Sequence, residues 1–257
     1  MATEPVPSAT VLLLRDGARG PEALLLRRHA GVAFAAGALV FPGGKVDAGD
    51  REPCIPATGG DGLEAEERAH RLAAVREAFE EAGVLLTRGA DRDFPTADRL
   101  AGLAPWRGRL DRREATLGDF LRTEGLAADL AALVPLARWI TPASNPRRFD
   151  TRFYAAAVPP GQAGAHDGRE TVDSAWLRPA DALSLADRGG AELVPATRAN
   201  LMLAARGRTV ADILALAAAH PKAPITPEVE RGPDGLRVRI PAGAGYGVRE
   251  LPLVKPP

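Results

Sequence analysis

Three glutamates within one stretch of five residues, Glu77, Glu80 and Glu81, are the side chains of this sequence best suited to chemistry. The apolar residues around them recur with helical spacing, which predicts a single helix over residues 64–82. On such a helix Glu77 and Glu81 share a face and Glu80 borders it, so the three carboxylates raise each other's pKa. A hard divalent cation such as Mg²⁺ or Mn²⁺ would relieve their repulsion. The alternative interpretation is a solvated acidic face on which Arg76 pairs with Glu80.

A pair of glycines upstream favours the metal interpretation. Gly43 and Gly44 follow Phe41-Pro42, at the end of an apolar run that predicts a short strand. Glycine lets the backbone turn sharply and approach a ligand or a metal ion closely. The sequence therefore predicts a tight turn at which the backbone can approach a ligand or a metal ion.

Together the two stretches resemble the Nudix hydrolases. The family pattern is Gly, five residues, Glu, seven residues, then Arg-Glu-apolar-x-Glu-Glu-x-Gly-apolar, and residues 76–84 fit its second half. The first half departs, because Asp50 stands where the family has Glu. Asp50 and Arg76 also enclose 25 residues where the family has seven, an excess of 18. The role of Asp50 is therefore open. The 18 extra residues are expected to form a surface loop that buries little area, because residues 51–62 are rich in Gly, Pro and charged residues.

The resemblance implies hydrolysis of a diphosphate that links a nucleoside to another group, with Mg²⁺ or Mn²⁺ as the cofactor. In that case Glu77, Glu80 and Glu81 would hold the cation, and one of them could also act as the base. The backbone carbonyl of Gly43 could add a ligand. Arg76 would pair with a carboxylate of the cluster and orient it.

Five further residues are candidates for the site: Glu170, Arg28, Gly44, Arg148 and Arg152. Family members often supply a loop glutamate as a metal ligand or base, which Glu170 matches; the alternative is a solvated loop residue. Gly44 is expected to border the substrate. The three arginines lie on or beside predicted strands, where they either contact substrate phosphates or are simply solvated.

Three more segments narrow the resemblance to one branch of the family. Residues 41–50, 139–142 and 148–153 look like the branch that contains the peroxisomal coenzyme A diphosphatases, of which this chain would be a bacterial member. That implies cleavage of coenzyme A or acyl-coenzyme A to 3′,5′-ADP and (acyl-)phosphopantetheine. The Nudix family pattern alone does not distinguish this activity from cleavage of ADP-ribose, NADH or a nucleotide sugar. A non-catalytic nucleotide-binding regulator is an alternative of another class, although a binder has no need of three clustered carboxylates.

The order of the predicted elements, strands before and after one long helix, predicts an α/β fold with a mixed sheet between helices. This agrees with the α/β/α sandwich that the Nudix resemblance implies. Residues 8–190 are predicted to form the hydrolase domain, with a helical insertion at about residues 91–132. Within that insertion Leu126 to Leu133 has helical apolar spacing. Residues 191–257 are predicted to add C-terminal helices and a tail that pack on the domain.

Composition excludes several classes of protein. Lys and Arg total 33, as do Asp and Glu, so no global positive field argues for nucleic acid as a partner. Cys54 is the only cysteine, which excludes an internal disulfide and fits a reducing compartment. Neither a membrane span, a secretory leader nor a C-terminal Ser-Lys-Leu-type signal is expected, so the predicted location is cytoplasmic. The expected partner is a small-molecule diphosphate, and a homodimer is left open.

Overall fold

The computed structural model describes residues 3–28, 37–164, 171–232 and 235–252. Its strands are β1 Val6–Gly17, β2 Gly20–Arg28, β3 Leu39–Val40, β4 Gly43–Lys45, β5 Ala57–Thr58, β6 Thr87–Arg88, β7 Ala127–Asp129, β8 Val134–Ile140, β9 Phe149–Ala157, β10 Thr171–Leu177, β11 Pro224–Ile225, β12 Glu228–Gly232, β13 Gly235–Arg239 and β14 Glu250–Pro252. Its α-helices are α1 Ala65–Ala82, α2 Ala97–Leu103, α3 Pro105–Asp111, α4 Leu117–Glu124, α5 Pro179–Asp187, α6 Pro195–Ala204 and α7 Val210–Ala219. Among the helices described, none is long and apolar enough to cross a lipid bilayer.

The main sheet has eight strands and is mixed. Its order is β10-β2-β1-β9-β8-β11, with β3 beside β2 and β4 beside β1. The neighbours β1 and β9 run parallel, whereas β1 with β2, β8 with β9, and β2 with β10 are antiparallel. The tight turn predicted at Gly43 and Gly44, a segment called the glycine turn below, is instead extended: both glycines lie in the short strand β4, which pairs antiparallel with β1 in the middle of the sheet.

Alternating residues of β1 supply two separate cores, one on each face of the sheet. Val11 and Leu13 pack against α1 and the helices of the insertion, in a cluster that includes Phe79. Leu12 and Leu14 face the other way and pack against the C-terminal helices α6 and α7. This two-sided burial confirms the predicted α/β/α sandwich, since a strand covered on both faces buries every side chain.

The predicted helical insertion is only partly helical. Helices α2, α3 and α4 lie inside it, and Gly125, with φ of 62°, ends α4. The helix expected from Leu126 to Leu133 is wrong, because residues 127–129 form β7 and residues 130–132 a single 3₁₀ turn. Leu126, Ala128, Asp129 and Leu130 are buried and Ala127 is half-buried, so burial alone does not mark a strand here. Strand β7 pairs with β5 and β6 in a small separate sheet.

The excess between Asp50 and Arg76 buries more than the sequence predicted. Ile55 is only 3 % exposed and belongs to the core under α1. Strand β5 pairs with β7, and the Arg68 guanidinium donates to the carbonyls of Glu52 and Ile55 at 3.1 and 2.7 Å. The expectation of a loop that buries little area is correct for the other residues of 51–62, which are exposed or half-buried, but Ile55 and a few backbone bonds fix the segment onto the helix.

Replacing Ile55 with alanine is expected to lower the free energy of unfolding by about 2–4 kcal/mol, because a buried isoleucine loses its contacts and leaves a cavity. Urea denaturation followed by circular dichroism measures this change. The neighbouring Cys54 is exposed, so Cys54→Ala is the control and should leave the midpoint unchanged. A loss below about 1 kcal/mol for Ile55→Ala would restore the original expectation of a loosely attached loop.

Candidate active site

Helix α1 carries the three glutamates, and its C-terminal end is held by two features. Its C-terminus stops at Gly83, whose φ of 64° lies in the left-handed region that favours glycine. The guanidinium of Arg107 on α3 donates to the backbone carbonyl of Glu80 at 3.1 and 3.2 Å. A cation at this end also suits the negative end of the helix dipole. These contacts fix the last turn of α1, where Glu80 and Glu81 lie.

The guanidinium of Arg76 organises the carboxylates around it. Its Nη1 donates to Glu77 Oε1 at 2.8 Å and to Glu80 Oε2 at 3.2 Å. Its Nε and Nη2 donate to the two oxygens of Asp50 at 3.0 and 2.9 Å, and Nη2 also reaches the carbonyl of Lys45 at 2.8 Å. All five N–H groups of a guanidinium are thereby used. The planar fork fixes the directions of its partners, so the predicted orienting role of Arg76 has a physical basis.

Asp50 is the residue whose role the sequence left open. Its side chain is 1 % exposed and makes a bidentate pair with Arg76. The backbone N–H of Asp47 donates to Asp50 Oδ2 at 2.9 Å, which satisfies the carboxylate further. The residue sits on the 3₁₀ turn Gly49–Arg51, just after the glycine turn. Asp50 thus anchors the arginine from the side opposite the glutamates, and the only sequence signal for it was its position six residues after Gly44.

The two glycines lie directly against the glutamates of α1. The backbone N–H of Gly43 donates to Glu81 Oε2 at 2.9 Å. A Cβ atom on Gly44 would lie 2.3 Å from Glu77 Oε1, so a side chain there would displace that carboxylate. The structure therefore brings Gly43, Gly44, Glu77 and Glu81 together as the sequence predicted. Whether the Gly43 carbonyl ligates a metal stays a prediction.

The site carries an excess of negative charge. Among the described contacts, the Arg76 guanidinium pairs with three carboxylates, those of Asp50, Glu77 and Glu80, and a fourth, Glu81, accepts from the Gly43 N–H beside them. Burial and the nearby charge of Glu77, only partly offset by Arg76, together raise the pKa of Glu80 to about 8. A bound cation would remove the need for this proton. All the side-chain donor atoms are carboxylate oxygens, the type that Mg²⁺ and Mn²⁺ prefer, so the residues present fit such an ion.

The side chains that would ligate a metal ion do not surround one point in this structure. Within the described part of the chain, no group of three His, Cys, Asp or Glu side chains is already arranged to hold a metal ion. Glu77 and Glu80 turn oxygens toward Arg76 instead. The metal set Glu77, Glu80, Glu81 and Gly43 stays a prediction.

The remaining candidate residues have different outcomes. Glu170 and the side chain of Arg28 lie outside the described residues. The Arg148 guanidinium donates to the carbonyls of Thr141 and Thr3 at 3.0 and 2.7 Å, so it joins strand β8 to the N-terminal segment. Arg152 forms an ion pair with Glu67 on α1. The substrate-binding roles of these residues stay predictions.

Comparison with known proteins identifies the family of this fold and site. A family model described as the NUDT19 Nudix domain matches residues 58–197, more than half of the chain. The chain belongs to the Nudix hydrolase family. The acyl-coenzyme A diphosphatase NUDT19 of Homo sapiens is 31% identical over 209 residues, which cover 64% of this chain and 55% of that protein. The Gallus gallus protein of the same name is 29% identical over 210 residues, 63% of this chain and 55% of that protein.

A third relative and one solved structure agree with this assignment. A putative nudix hydrolase 7 of Caenorhabditis elegans is 31% identical over 174 residues, covering 67% of this chain and 52% of that protein. The chain thus spans about half the length of the curated relatives it matches. The crystal structure of a NUDIX hydrolase from Alicyclobacillus acidocaldarius superposes with a TM-score of 0.68 at 28% identity, covering 86% of this chain and 100% of that one.

Proposed function

We propose that this chain hydrolyses the diphosphate of coenzyme A or acyl-coenzyme A. Water adds to one phosphorus, the P–O–P bridge breaks, and the products are 3′,5′-ADP and phosphopantetheine or its acyl form. The observation that carries the proposal is the buried fork of Arg76, which holds Glu77 and Glu80 beside the glycine turn. The choice of substrate draws on the printed names of the human and chicken relatives, which are acyl-coenzyme A diphosphatases.

Each residue of the site has a separate part in this proposal. Glu77, Glu80 and Glu81, with the Gly43 carbonyl, would hold Mg²⁺ or Mn²⁺, which supplies positive charge against the diphosphate oxygens when bound. Arg76 keeps Glu77 and Glu80 in place, and the Gly43 N–H does the same for Glu81. The proton of the attacking water passes to a carboxylate, for which one glutamate of the cluster and Glu170 are our candidates.

The substrate is tested by direct comparison. The purified protein is incubated with Mg²⁺ and coenzyme A, acetyl-coenzyme A, ADP-ribose, NADH, nucleotide sugars and a dinucleoside polyphosphate, and products are identified by mass. We expect the highest kcat/KM for coenzyme A or acetyl-coenzyme A, with 3′,5′-ADP as the common product. A higher kcat/KM for ADP-ribose or NADH would replace the substrate but keep the site. Binding without turnover of any compound would favour a nucleotide-binding regulator.

Cation binding is expected to strengthen as the pH rises. In the metal-free protein the pKa of Glu80 is about 8, and a metal ion binds the ionised carboxylate. The affinity for Mn²⁺ should therefore increase between about pH 6.5 and pH 9, and kcat/KM should follow it. Isothermal titration calorimetry at several pH values measures the affinity.

Excess chelator should abolish turnover, and full activity in chelator would refute the metal requirement.

Thermal stability gives a second measurement of the ionisation of Glu80. The pKa of Glu80 in the folded protein lies above its ordinary value of 4.5. Protonated Glu80 therefore contributes its full stabilisation below pH 4.5, and this stabilisation is lost as the pH rises through about 8. The increase in Tm on adding Mn²⁺ should therefore be larger at about pH 8.5 than at about pH 6.5. In Glu80→Gln the titrating proton is absent, so the pH dependence of the shift should flatten.

A further inference from the structure

A second charged cluster lies on α1 toward its N-terminus. His70 precedes Glu77 by seven residues, so it lies on nearly the same side of the helix, two turns or about 10 Å away. Glu66 and Glu67 occupy the next turn. Arg152 on β9 reaches this turn from the sheet. The cluster thus continues the side of the helix that carries Glu77.

The sheet connects this cluster to the glycine turn. In the register of the strands, Ala9 of β1 lies opposite both Gly44 of β4 and Arg152 of β9. Residues opposite each other across neighbouring strands point to the same face, and each strand adds about 4.8 Å. Arg152 is therefore about 10 Å from Gly44, on the face that α1 covers. One sugar and one phosphate of a ligand span about the distance between the backbone of Arg152 and the carboxylates beside Gly44.

The two glutamates of the cluster are paired with arginines. The guanidinium of Arg51 donates to both carboxylate oxygens of Glu66. Glu67 accepts from Arg71 Nε at 2.8 Å, from the Tyr154 hydroxyl at 3.2 Å, and from Nη1 of Arg152. His70 is neutral at neutral pH, because burial lowers its pKa. Three arginines against two glutamates leave a net positive charge beside the acidic site.

Arg51 and Arg152 keep donors available to a ligand. Their side chains are 41 and 24 % exposed, whereas that of Arg71 is 11 % exposed and also bonds two backbone carbonyls. Among the described contacts, one of the five N–H groups of Arg152 is engaged, with Glu67. A partly exposed arginine whose remaining N–H groups are not engaged in the described contacts can bind an oxyanion.

We propose that Arg51 and Arg152 bind a second phosphate of the substrate, a phosphomonoester on the ribose of its nucleoside half. The proposal rests on the proposed function, in which the diphosphate lies at Glu77 and Glu81. The ribose joins the diphosphate to the monoester, so the two phosphate positions are one sugar apart. The spacing along α1 and across β1 provides that separation, and the positive cluster attracts a group that the acidic cluster would repel.

The specificity of turnover tests the subsite. Wild type should prefer coenzyme A to dephospho-coenzyme A, which lacks only the ribose monoester. In Arg152→Ala the ratio of the two kcat/KM values should fall about 10- to 100-fold, mainly through a higher KM for coenzyme A, because a charge-assisted bond is lost. Arg239→Ala removes a comparable exposed arginine, paired with Glu230 in the distant β12–β13 hairpin, and should keep the wild-type ratio. An unchanged ratio in Arg152→Ala would overturn the proposal.

A merely structural role for the ion pair predicts a different result. If Arg152 only holds α1 through Glu67, then Glu67→Gln should resemble Arg152→Ala. If Arg152 binds phosphate, Glu67→Gln frees the guanidinium and raises the net positive charge, so the KM for coenzyme A should stay equal or fall. A rise in that KM equal to the rise in Arg152→Ala would overturn the proposal. A thermal melt of each variant shows that it is folded.

Ligand binding tests the subsite without turnover. Adenosine 3′,5′-bisphosphate, adenosine 2′,5′-bisphosphate and 5′-AMP are titrated into the wild type and Arg152→Ala by calorimetry. Tighter binding of a bisphosphate than of AMP in wild type, lost in Arg152→Ala, supports the subsite, and the better isomer identifies the ribose position. Equal affinities for all three nucleotides overturn it. If coenzyme A is not hydrolysed at all, the proposed function fails while this titration still decides the subsite.

Discussion

Glu81→Gln is expected to lower kcat by at least about 100-fold while the protein stays folded, because the charge that must meet the cation is lost. Glutamine has the same length and keeps an oxygen that can accept the Gly43 N–H, a bond of 2.9 Å in the wild type. The glycine turn should therefore keep its place, and the effect should fall on the chemistry. The measurement is kcat with coenzyme A beside a thermal melt.

Glu77→Gln should cause a loss of similar size, at least about 100-fold in kcat. Its carboxylate lies over Gly44 and accepts from Nη1 of Arg76 at 2.8 Å. An amide carries no charge for the cation or for the guanidinium, so both contacts weaken. The control is Glu230→Gln, which changes an exposed glutamate of the β12–β13 hairpin and should keep the wild-type rate. Wild-type turnover in either active-site variant would instead support the solvated acidic face.

The helix and its carboxylates could be predicted because their signals are local. The helix predicted over residues 64–82 is α1, Ala65–Ala82, and its stop at Gly83 is confirmed. The apolar residues that defined it, among them Leu72 and Phe79, are buried. Neighbours three and four residues apart on a helix meet whatever the rest of the fold does. The pairing of Arg76 with Glu80 was predictable for the same reason.

The contacts that were missed all depend on distant parts of the chain. Asp50 pairs with Arg76, which is 26 positions away in the sequence. No local sequence pattern indicates which acidic residue will pair with a buried arginine. Ile55 is a single apolar residue in a Gly- and Pro-rich segment, and its burial follows from the core beneath α1. The segment Leu126 to Leu133 has spacing that suits either a helix or a strand, and pairing with β5 and β6 decided it. Such choices are made by tertiary packing, which overrides local preference.

Removing the partner of Arg76 should be among the most destabilising single changes. Asp50→Ala is expected to lower the free energy of unfolding by about 3 kcal/mol or more, because breaking a buried ion pair leaves an uncompensated charge. Arg76 is 6 % exposed and Asp50 is 1 % exposed, so water cannot take the place of the lost carboxylate. Urea denaturation measures the change. Glu230→Gln breaks an exposed pair and should leave the midpoint unchanged.

Stability and catalysis should separate in a double variant, which shows what the pair is for. Asp50→Ala together with Arg76→Met removes both charges, and apolar groups of similar size often replace a buried pair without loss of stability. The double variant should therefore regain only part of the stability that Asp50→Ala loses, because Glu77 and Glu80 also lose their cation. It should not regain activity, because Glu77 and Glu80 have lost the guanidinium that orients them. Recovery of both properties would mean that the arginine only compensates buried charge, and wild-type stability in Asp50→Ala alone would mean that the two glutamates already suffice as its partners.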